Sequence, residues 1–147
     1  MADATVALVA DHAGFELNNS LKSWLAEHGV ETVDLGPETS DPVDHPDMAG
    51  EPAAALKEGQ AQFGVVSCGS GIGIAIAANR CPRVRAAMCY GVTTARLARE
   101  HNDANALALG ARPIGLEVAR DCLLAFRSTP FAGDARRVGK LASMPQP

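Results

Sequence analysis

Several patterns that identify common classes of protein are absent from this 147-residue sequence. No apolar run reaches the length of a transmembrane helix, and the first residues lack the basic and apolar regions of a signal peptide. The four cysteines form no Cys-x-x-Cys pair, and no His-x-x-x-His accompanies them, which argues against a zinc site. We therefore expect a cytoplasmic protein with reduced thiols, no membrane contact and no bound metal.

The chain also lacks an excess of positive charge. Its net charge is −4, and 47% of its residues are hydrophobic. This composition argues against a disordered chain and against a general nucleic-acid binder. A local basic pocket for a phosphate group remains compatible with it, because net charge describes the whole surface and not one site. The length fits a single domain over residues 1–147 with a core of its own.

Short apolar segments alternate with helical patterns along the whole chain. The pattern predicts strands at 5–10, 30–35, 63–68, 84–89 and 104–109, and helices at 15–28, 49–57, 93–100 and 115–126. A further small-residue helix is predicted after the glycine-rich turn of the stretch 63–79. The strands are continuous apolar runs, which is typical of strands buried on both faces. The sequence therefore predicts an α/β fold: a Rossmann-like, doubly wound parallel sheet of about five strands in three αβα layers. The tail from residue 129 has room for one more short helix.

The stretch 63–79 contains a glycine-rich turn between a strand and a helix. Gly69, Gly71 and Gly73 let a ligand approach the backbone, and the first N–H groups of the helix would face that ligand. Such a turn binds anions. It matches neither the Gly-x-Gly-x-x-Gly dinucleotide pattern nor a Walker loop, since no Gly-Lys-Ser/Thr follows.

Cys68 ends the predicted strand at this turn, where the oriented dipoles favour a thiolate over a thiol. A thiolate beside amide donors can move a proton next to a carbonyl and stabilise the oxyanion that forms. The alternative that the residues leave open is a buried structural cysteine. A phosphatase nucleophile is disfavoured, because a Cys-x5-Arg loop needs arginine at the position of Ile74.

Two further turns carry polar residues at the predicted carboxyl edge of the sheet, where open parallel sheets bind ligands. Asp11 and His12 follow the first strand, and Arg112 follows the fifth. His101 and Asn102 instead lie on a helix-to-strand connection, at the opposite edge. We therefore expect His101 to reach a site only in a neighbouring copy of the chain.

Seven ordered segments resemble the ribose-5-phosphate isomerase B and galactose-6-phosphate isomerase family of sugar-phosphate isomerases. They are 11–14, 44–46, 68–73, 77–80, 85–86, 101–105 and 110–112. The likeness runs in order and at family spacing from about residue 6 to 131. The family usually ends in Gly-Gly-Arg-His-x-x-Arg-Val, whereas this chain has Gly-Asp-Ala-Arg-Arg-Val at 133–138. The first arginine of that pattern and its histidine are thus missing.

The resemblance implies aldose–ketose isomerisation through a cis-enediolate, without metal or organic cofactor. It implies that Cys68 is the base between C1 and C2, and that Ser70 and the glycine amides hold the enediolate. It assigns ring opening to His101, with Asp11 handling the partner proton. From the residues alone, Asp11 could equally be the N-cap of the first helix, and His101 a helix-end cation.

Substrate binding is implied for a second set of residues. These are His12, Gly69, Gly71, Gly73, Asn102, Arg112, Arg136 and Arg137. His12 and Arg112 belong to the phosphate in the family, and the two tail arginines are the candidates for the altered C-terminal grip. The alternative for the tail is an ordinary solvated charge pair.

The resemblance also implies an active site shared between two subunits, hence a homodimer or a dimer of dimers. The tail from about residue 129 would pack on the partner. Interconversion of ribose 5-phosphate and ribulose 5-phosphate is the favoured reaction, and four- and six-carbon sugar phosphates stay open. A hypothesis of a different class is a sugar-phosphate-binding module without catalysis.

Overall fold

The computed structural model describes residues 4–42, 52–56 and 58–145. Its five strands form one sheet of order β2-β1-β3-β5-β4, in which every neighbouring pair is parallel. The strands are β1 (Val6–Ala10), β2 (Thr32–Asp34), β3 (Phe63–Cys68), β4 (Ala86–Met88) and β5 (Ala106–Gly110). The predicted five-stranded parallel sheet is confirmed.

Helices cover both faces of this sheet. They are α1 (Phe15–Glu27), α2 (52–56), α3 (Ile72–Asn79), α4 (Val92–Asn102), α5 (Leu116–Ser128) and α6 (Ala135–Ala142). The larger core lies under α1, α4 and α5, and the smaller apolar clusters lie under α2 and α3. The three-layer arrangement follows from strands that are apolar on both faces.

Strand β1 shows how the two faces differ. Val6 and Leu8 join the large core, whereas Ala7 and Val9 join the small clusters on the other face. Successive side chains of a strand point to opposite faces, so this alternation is geometric. All four side chains are fully buried, and each large one contributes about 1.5–3 kcal/mol by leaving water.

Some predicted bounds differ from the observed ones. Strand β4 begins at Ala86 and not at residue 84, because the N–H of Arg85 donates to Oδ1 of Asn105 at 2.8 Å. The Asn105 side chain thus takes the place of a backbone acceptor for this N–H, while the carbonyl of Arg85 still accepts from the N–H groups of Asn105 and Ala106. Helix α4 continues to Asn102 and not to residue 100. His101 and Asn102 therefore belong to the last turn of a helix, and their predicted place on a connection is wrong in that respect.

The loop between the predicted strand 30–35 and the predicted helix 49–57 falls partly outside the described residues, as does that helix. The loop is described up to residue 42, and Asp44 and His45 lie outside the described residues. Residues 52–56 are helical, in agreement with the prediction for that part. The short helix that the tail has room for is present as α6.

Candidate active site

Cys68 is the last residue of β3 and is 1% exposed. The N–H of Gly71 donates to its Sγ at 3.1 Å. Gly71 adopts a φ of +81°, a conformation that residues with a side chain rarely adopt, and it is the N-cap of α3. The glycine turn therefore aims a backbone donor at the sulphur and directs the start of α3 toward the same place.

The turn is held against the loop that follows β5. The N–H of Ala111 donates to the carbonyl of Cys68, and the N–H of Arg112 donates to the carbonyl of Gly69, both at 2.9 Å. A Cβ on Gly110 would lie 2.3 Å from the carbonyl oxygen of Ser70. The two backbones are thus in direct contact. The position of Ser70 therefore depends on residue 110 being a glycine, which has no side chain.

Replacing Gly110 with alanine is expected to displace the glycine turn. Overpacking costs about 1–3 kcal/mol, and a shift of about 1 Å at a reacting group can cost about a hundredfold in rate. Melting temperature and kcat measure the two effects. Gly115→Ala is the matched control, because nothing lies within 4 Å of the Cβ it would add on the same loop. Equal kcat values for the two variants would contradict this account.

Asp11 lies directly after β1 and is 2% exposed. Its Oδ1 accepts hydrogen bonds from the N–H groups of Ala13 at 2.9 Å and Gly14 at 3.0 Å. The N-cap of α1 is Gly14, so the alternative assignment of that position to Asp11 is wrong. A Cβ on Gly14 would lie 2.5 Å from the carbonyl of Ser67, which packs this turn directly on β3.

Arg112 reaches across from the β5 loop to the glycine turn. A Cβ on Gly69 would lie 3.2 Å from Nε of Arg112 and 3.4 Å from Cβ of Ala13. The three turns after β1, β3 and β5 therefore meet around Gly69. His12 is exposed on the first of these turns, and Arg112 is exposed on the third.

Tyr90 is a residue of this edge that the sequence reasoning missed. Its hydroxyl donates to the carbonyl of Ser70 at 2.9 Å, while Oγ of Ser70 accepts from the N–H of Ile72 at 3.2 Å. Tyr90 follows shortly after β4. The signal was available, since the carboxyl ends of β1, β3 and β5 already carried candidate residues.

His101 and Asn102 lie at the other edge of the sheet. Helix α4 runs back from the carboxyl edge and ends at Asn102, shortly before β5 begins. The six residues of β3 separate the two edges by roughly 17 Å, at about 3.3 Å per residue. A Cβ on Gly133 would lie 2.8 Å from the carbonyl oxygen of His101, so the segment leading to α6 packs on this turn.

The structure thus divides the candidate residues into two groups. The group that we call the carboxyl-edge group contains Asp11, His12, Cys68, Gly69, Ser70, Gly71, Gly73 and Arg112. The group that we call the amino-edge group contains His101, Asn102, Arg136 and Arg137. Arg136 and Arg137 are exposed on α6, and Nε of Arg136 lies 3.5 Å from Oδ2 of the N-cap residue Asp134.

The other three cysteines have the environment of packing residues. Cys89 and Cys122 are buried, and Cys81 is half-buried. Burial raises the pKa of Cys89, and burial together with the nearby Cys89 and Asp121 raises the pKa of Cys122 to about 11. These two thiols stay protonated at neutral pH and are poor proton acceptors there.

Two features are absent from the described part of the chain. No three His, Cys, Asp or Glu side chains there are grouped closely enough to hold a metal ion. None of the helices there is long and apolar enough to cross a membrane.

The sequence and the fold were compared with known proteins. The family model described as Ribose/Galactose Isomerase matches residues 6–143. Ribose-5-phosphate isomerase B of Escherichia coli is 39% identical over 128 residues, which cover 87% of this chain and 86% of the relative. D-erythrulose-4-phosphate isomerase of Pectobacterium atrosepticum is 37% identical and covers 93% of this chain and 92% of its own length.

Solved structures give the same result. A ribose 5-phosphate isomerase of Thermotoga maritima superposes with a TM-score of 0.93 at 41% identity, covering 96% of this chain and 99% of that one. The type B ribose 5-phosphate isomerase of Trypanosoma brucei superposes with a TM-score of 0.89 at 40% identity, covering 96% and 98%. The resemblance seen in the sequence is confirmed, and the chain belongs to the Ribose/Galactose Isomerase family.

Proposed function

We propose that this sugar-phosphate isomerase interconverts ribose 5-phosphate and ribulose 5-phosphate, with Cys68 as the base. The observation that carries the proposal is the buried sulphur at the end of β3, with the N–H of Gly71 directed at it. A binding module would need the amide donors of this turn but not a thiol at its centre. The family relatives named as ribose-5-phosphate isomerases support the choice of substrate.

The reaction needs one proton acceptor and one oxyanion site. The Cys68 thiolate removes the proton from C2 of the open aldose, and the electron pair moves to the carbonyl oxygen of C1. The resulting enediolate is held by the amides of the glycine turn and the hydroxyl of Ser70. Return of the proton from Cys68 to C1, with transfer of the O2 proton to O1, completes the ketose and restores the thiolate. No other group is oxidised or reduced.

Ring opening and phosphate binding use the remaining residues of both groups. Ribose 5-phosphate is largely cyclic, so a group must move a proton from O1 to the ring oxygen O4. We assign this step to His101 and Asp11, and contact with the sugar oxygens to Asn102. The exposed side chains of His12 and Arg112 flank the glycine turn and supply donors for the phosphate.

We further propose that a second copy of the chain brings the amino-edge group to the carboxyl-edge group, which gives a homodimer or a dimer of dimers. Within one chain, the two groups lie at opposite ends of β3. An apolar patch joins the glycine turn to the outer strand β4 and is formed by Ile72, Ile76, Met88, Tyr90 and Val92, which are 38–61% exposed. Strand β4 is the outermost strand of the sheet beside this patch, and exposed outer strands and apolar patches are normally covered.

The last helix supports the same assembly. In α6 no residue is buried, although Leu141 and the following Met144 are large apolar residues that are 43% and 60% exposed. A helix of eight residues is marginal alone and needs a surface to pack on. Packing of α6 on a partner would bring Arg136 and Arg137 toward the phosphate. The four free cysteines fit a reducing, cytoplasmic setting.

Side-by-side assays of four-, five- and six-carbon aldose phosphates test the substrate. We expect the highest kcat/KM with ribose 5-phosphate. The relative named for D-erythrulose 4-phosphate makes the four-carbon sugar the main competitor, and a higher kcat/KM with that sugar would overturn the choice. In D2O, an enediolate enzyme incorporates deuterium at C1 or C2. Absence of incorporation with every sugar would instead favour a binding module.

A further inference from the structure

A network of charged residues surrounds the turn at the end of α4. Nη1 of Arg99 donates to Oδ1 of Asp103 at 2.8 Å and to the carbonyl oxygen of Ala104 at 2.6 Å. From the side of β4, Nη2 of Arg85 lies 3.3 Å from Oδ2 of Asp103, and its Nε donates to the carbonyl of Asp103 at 2.9 Å. We call Arg99, Asp103 and Arg85 the turn clamp.

Asp103 has a backbone conformation that needs support. It is the C-cap of α4 and adopts a φ of +47°, in the left-handed region where most side chains are strained. Its N–H donates to the carbonyl of Arg99 at 3.2 Å, and the N–H of Ala104 donates to the carbonyl of Ala98 at 3.1 Å. Arg99 therefore holds this C-cap through its backbone and its side chain together.

Arg99 is anchored in the core, unlike an ordinary helix-end arginine. It is 7% exposed, and its guanidinium carbon lies 4.9 Å from the ring centre of Phe63 and 5.7 Å from that of Phe126. Burying a charge is costly unless it is paired, and an exposed ion pair stabilises a helix end only slightly. The buried position ties the turn to β3 and α5.

His101 and Asn102 lie between Arg99 and Asp103 in the chain, so the clamp fixes the backbone on both sides of them. Gly133 also approaches the carbonyl of His101 closely, which restricts the backbone of this turn from a third side. In a shared site, the substrate and the glycine turn belong to the other subunit. The orientation of His101 must then be set by residues of its own chain, on the side away from the substrate.

We propose that Arg99 and Asp103 are positioning residues that hold His101 in the orientation needed for ring opening. The inference rests on the proposed role of His101. It separates two steps, because ring opening depends on His101 whereas the proton transfer at C1 and C2 depends on Cys68. Loosening the turn clamp should therefore slow ring opening more than enediolate formation.

Two assays on one substrate pair separate these steps. Conversion of ribose 5-phosphate requires ring opening. Ribulose 5-phosphate cannot form a five-membered ring, because its O5 carries the phosphate, so exchange of its C1 hydrogen with D2O requires only enediolate formation. Asp103→Asn removes the carboxylate charge and keeps a residue that tolerates the left-handed conformation. We expect its kcat for ribose 5-phosphate to fall about ten- to a hundredfold, the usual effect of losing a group that orients a functional side chain.

The exchange rate of Asp103→Asn is expected to fall much less, because Cys68 and the glycine turn supply the base and the oxyanion site for enediolate formation and the turn clamp supplies neither. His101→Ala should show the same split, and Asp103→Asn should add no further loss in the His101→Ala background. Arg85→Met is the second variant, with a smaller split, because Arg85 is only half-buried. Arg99→Lys, which keeps the buried charge, should retain most of the ribose 5-phosphate activity.

Arg96→Met is the matched control. Arg96 forms an ion pair with Glu100 at the same spacing on the same helix, but on its exposed side. Both rates should stay at wild-type level. The proposal is overturned if Asp103→Asn and Arg85→Met slow both assays equally, or neither assay, while His101→Ala shows the split. If His101→Ala shows no split, the ring-opening role of His101 fails, and this inference falls with it.

Discussion

Alanine at position 68 is expected to remove isomerisation and leave the fold intact. Proton transfer by a positioned side chain contributes about a hundred- to ten-thousand-fold to rate, and the loss should appear in kcat. Removal of one buried sulphur changes stability by about 1 kcal/mol, as most single substitutions do. Serine should also be poor, because an alcohol is far less acidic than a thiol. Measurement of kcat and of the melting temperature separates the two effects.

Cys122→Ala is the control for Cys68→Ala. Cys122 is also a buried thiol, but it lies in α5 within the large core. Its loss should lower the melting temperature and leave kcat unchanged. A Cys68→Ala protein that keeps more than about a tenth of the wild-type kcat would show that Cys68 is not the base.

Mixing inactive Cys68→Ala subunits with inactive His101→Ala subunits is expected to restore activity. In a mixed dimer one site carries both changes, and the other site carries neither. Random mixing at equal amounts puts about half of the dimers in this state, so roughly a quarter of the wild-type activity should return. Exchange of subunits is checked by mass, and activity is followed until exchange is complete.

The matched control mixes Cys68→Ala with Asp11→Asn. Both residues belong to the carboxyl-edge group of one chain, so neither site of the mixed dimer is intact and no activity should return. Failure of Cys68→Ala and His101→Ala to complement each other, with exchange established, would mean that one chain supplies both residues. The distance between the two groups along β3 would then not require a second subunit for catalysis.

The sheet was predictable because the apolar pattern of a buried strand is visible in the strand's own residues. Residues 63–68 are apolar except for Ser67, and all six are buried. The bounds of β4 were not predictable in the same way, because they depend on the side chain of Asn105, twenty residues away from Arg85. Propensity and periodicity describe local preference, and a side chain that replaces a strand partner is a tertiary effect.

The carboxyl-edge residues were predictable for a topological reason. Asp11 and Arg112 follow strands and Cys68 ends one, and parallel strands end at one edge. Tyr90 was missed because an aromatic residue after a strand has many ordinary explanations. The pairing of Arg99 with Asp103 was missed because both look like charges at a helix end, and the sequence does not reveal that Phe63 and Phe126 surround Arg99.

The division of the site between two edges of one sheet also bears on how its parts can change during evolution. On the proposed assembly, each chain contributes a base to one reaction centre and a ring-opening histidine to another. A residue substituted near Cys68 would contact the same sugar as His101 of the other subunit. Compensating substitutions are then to be sought across the interface between subunits, and not among the residues that pack beside Cys68 in its own chain.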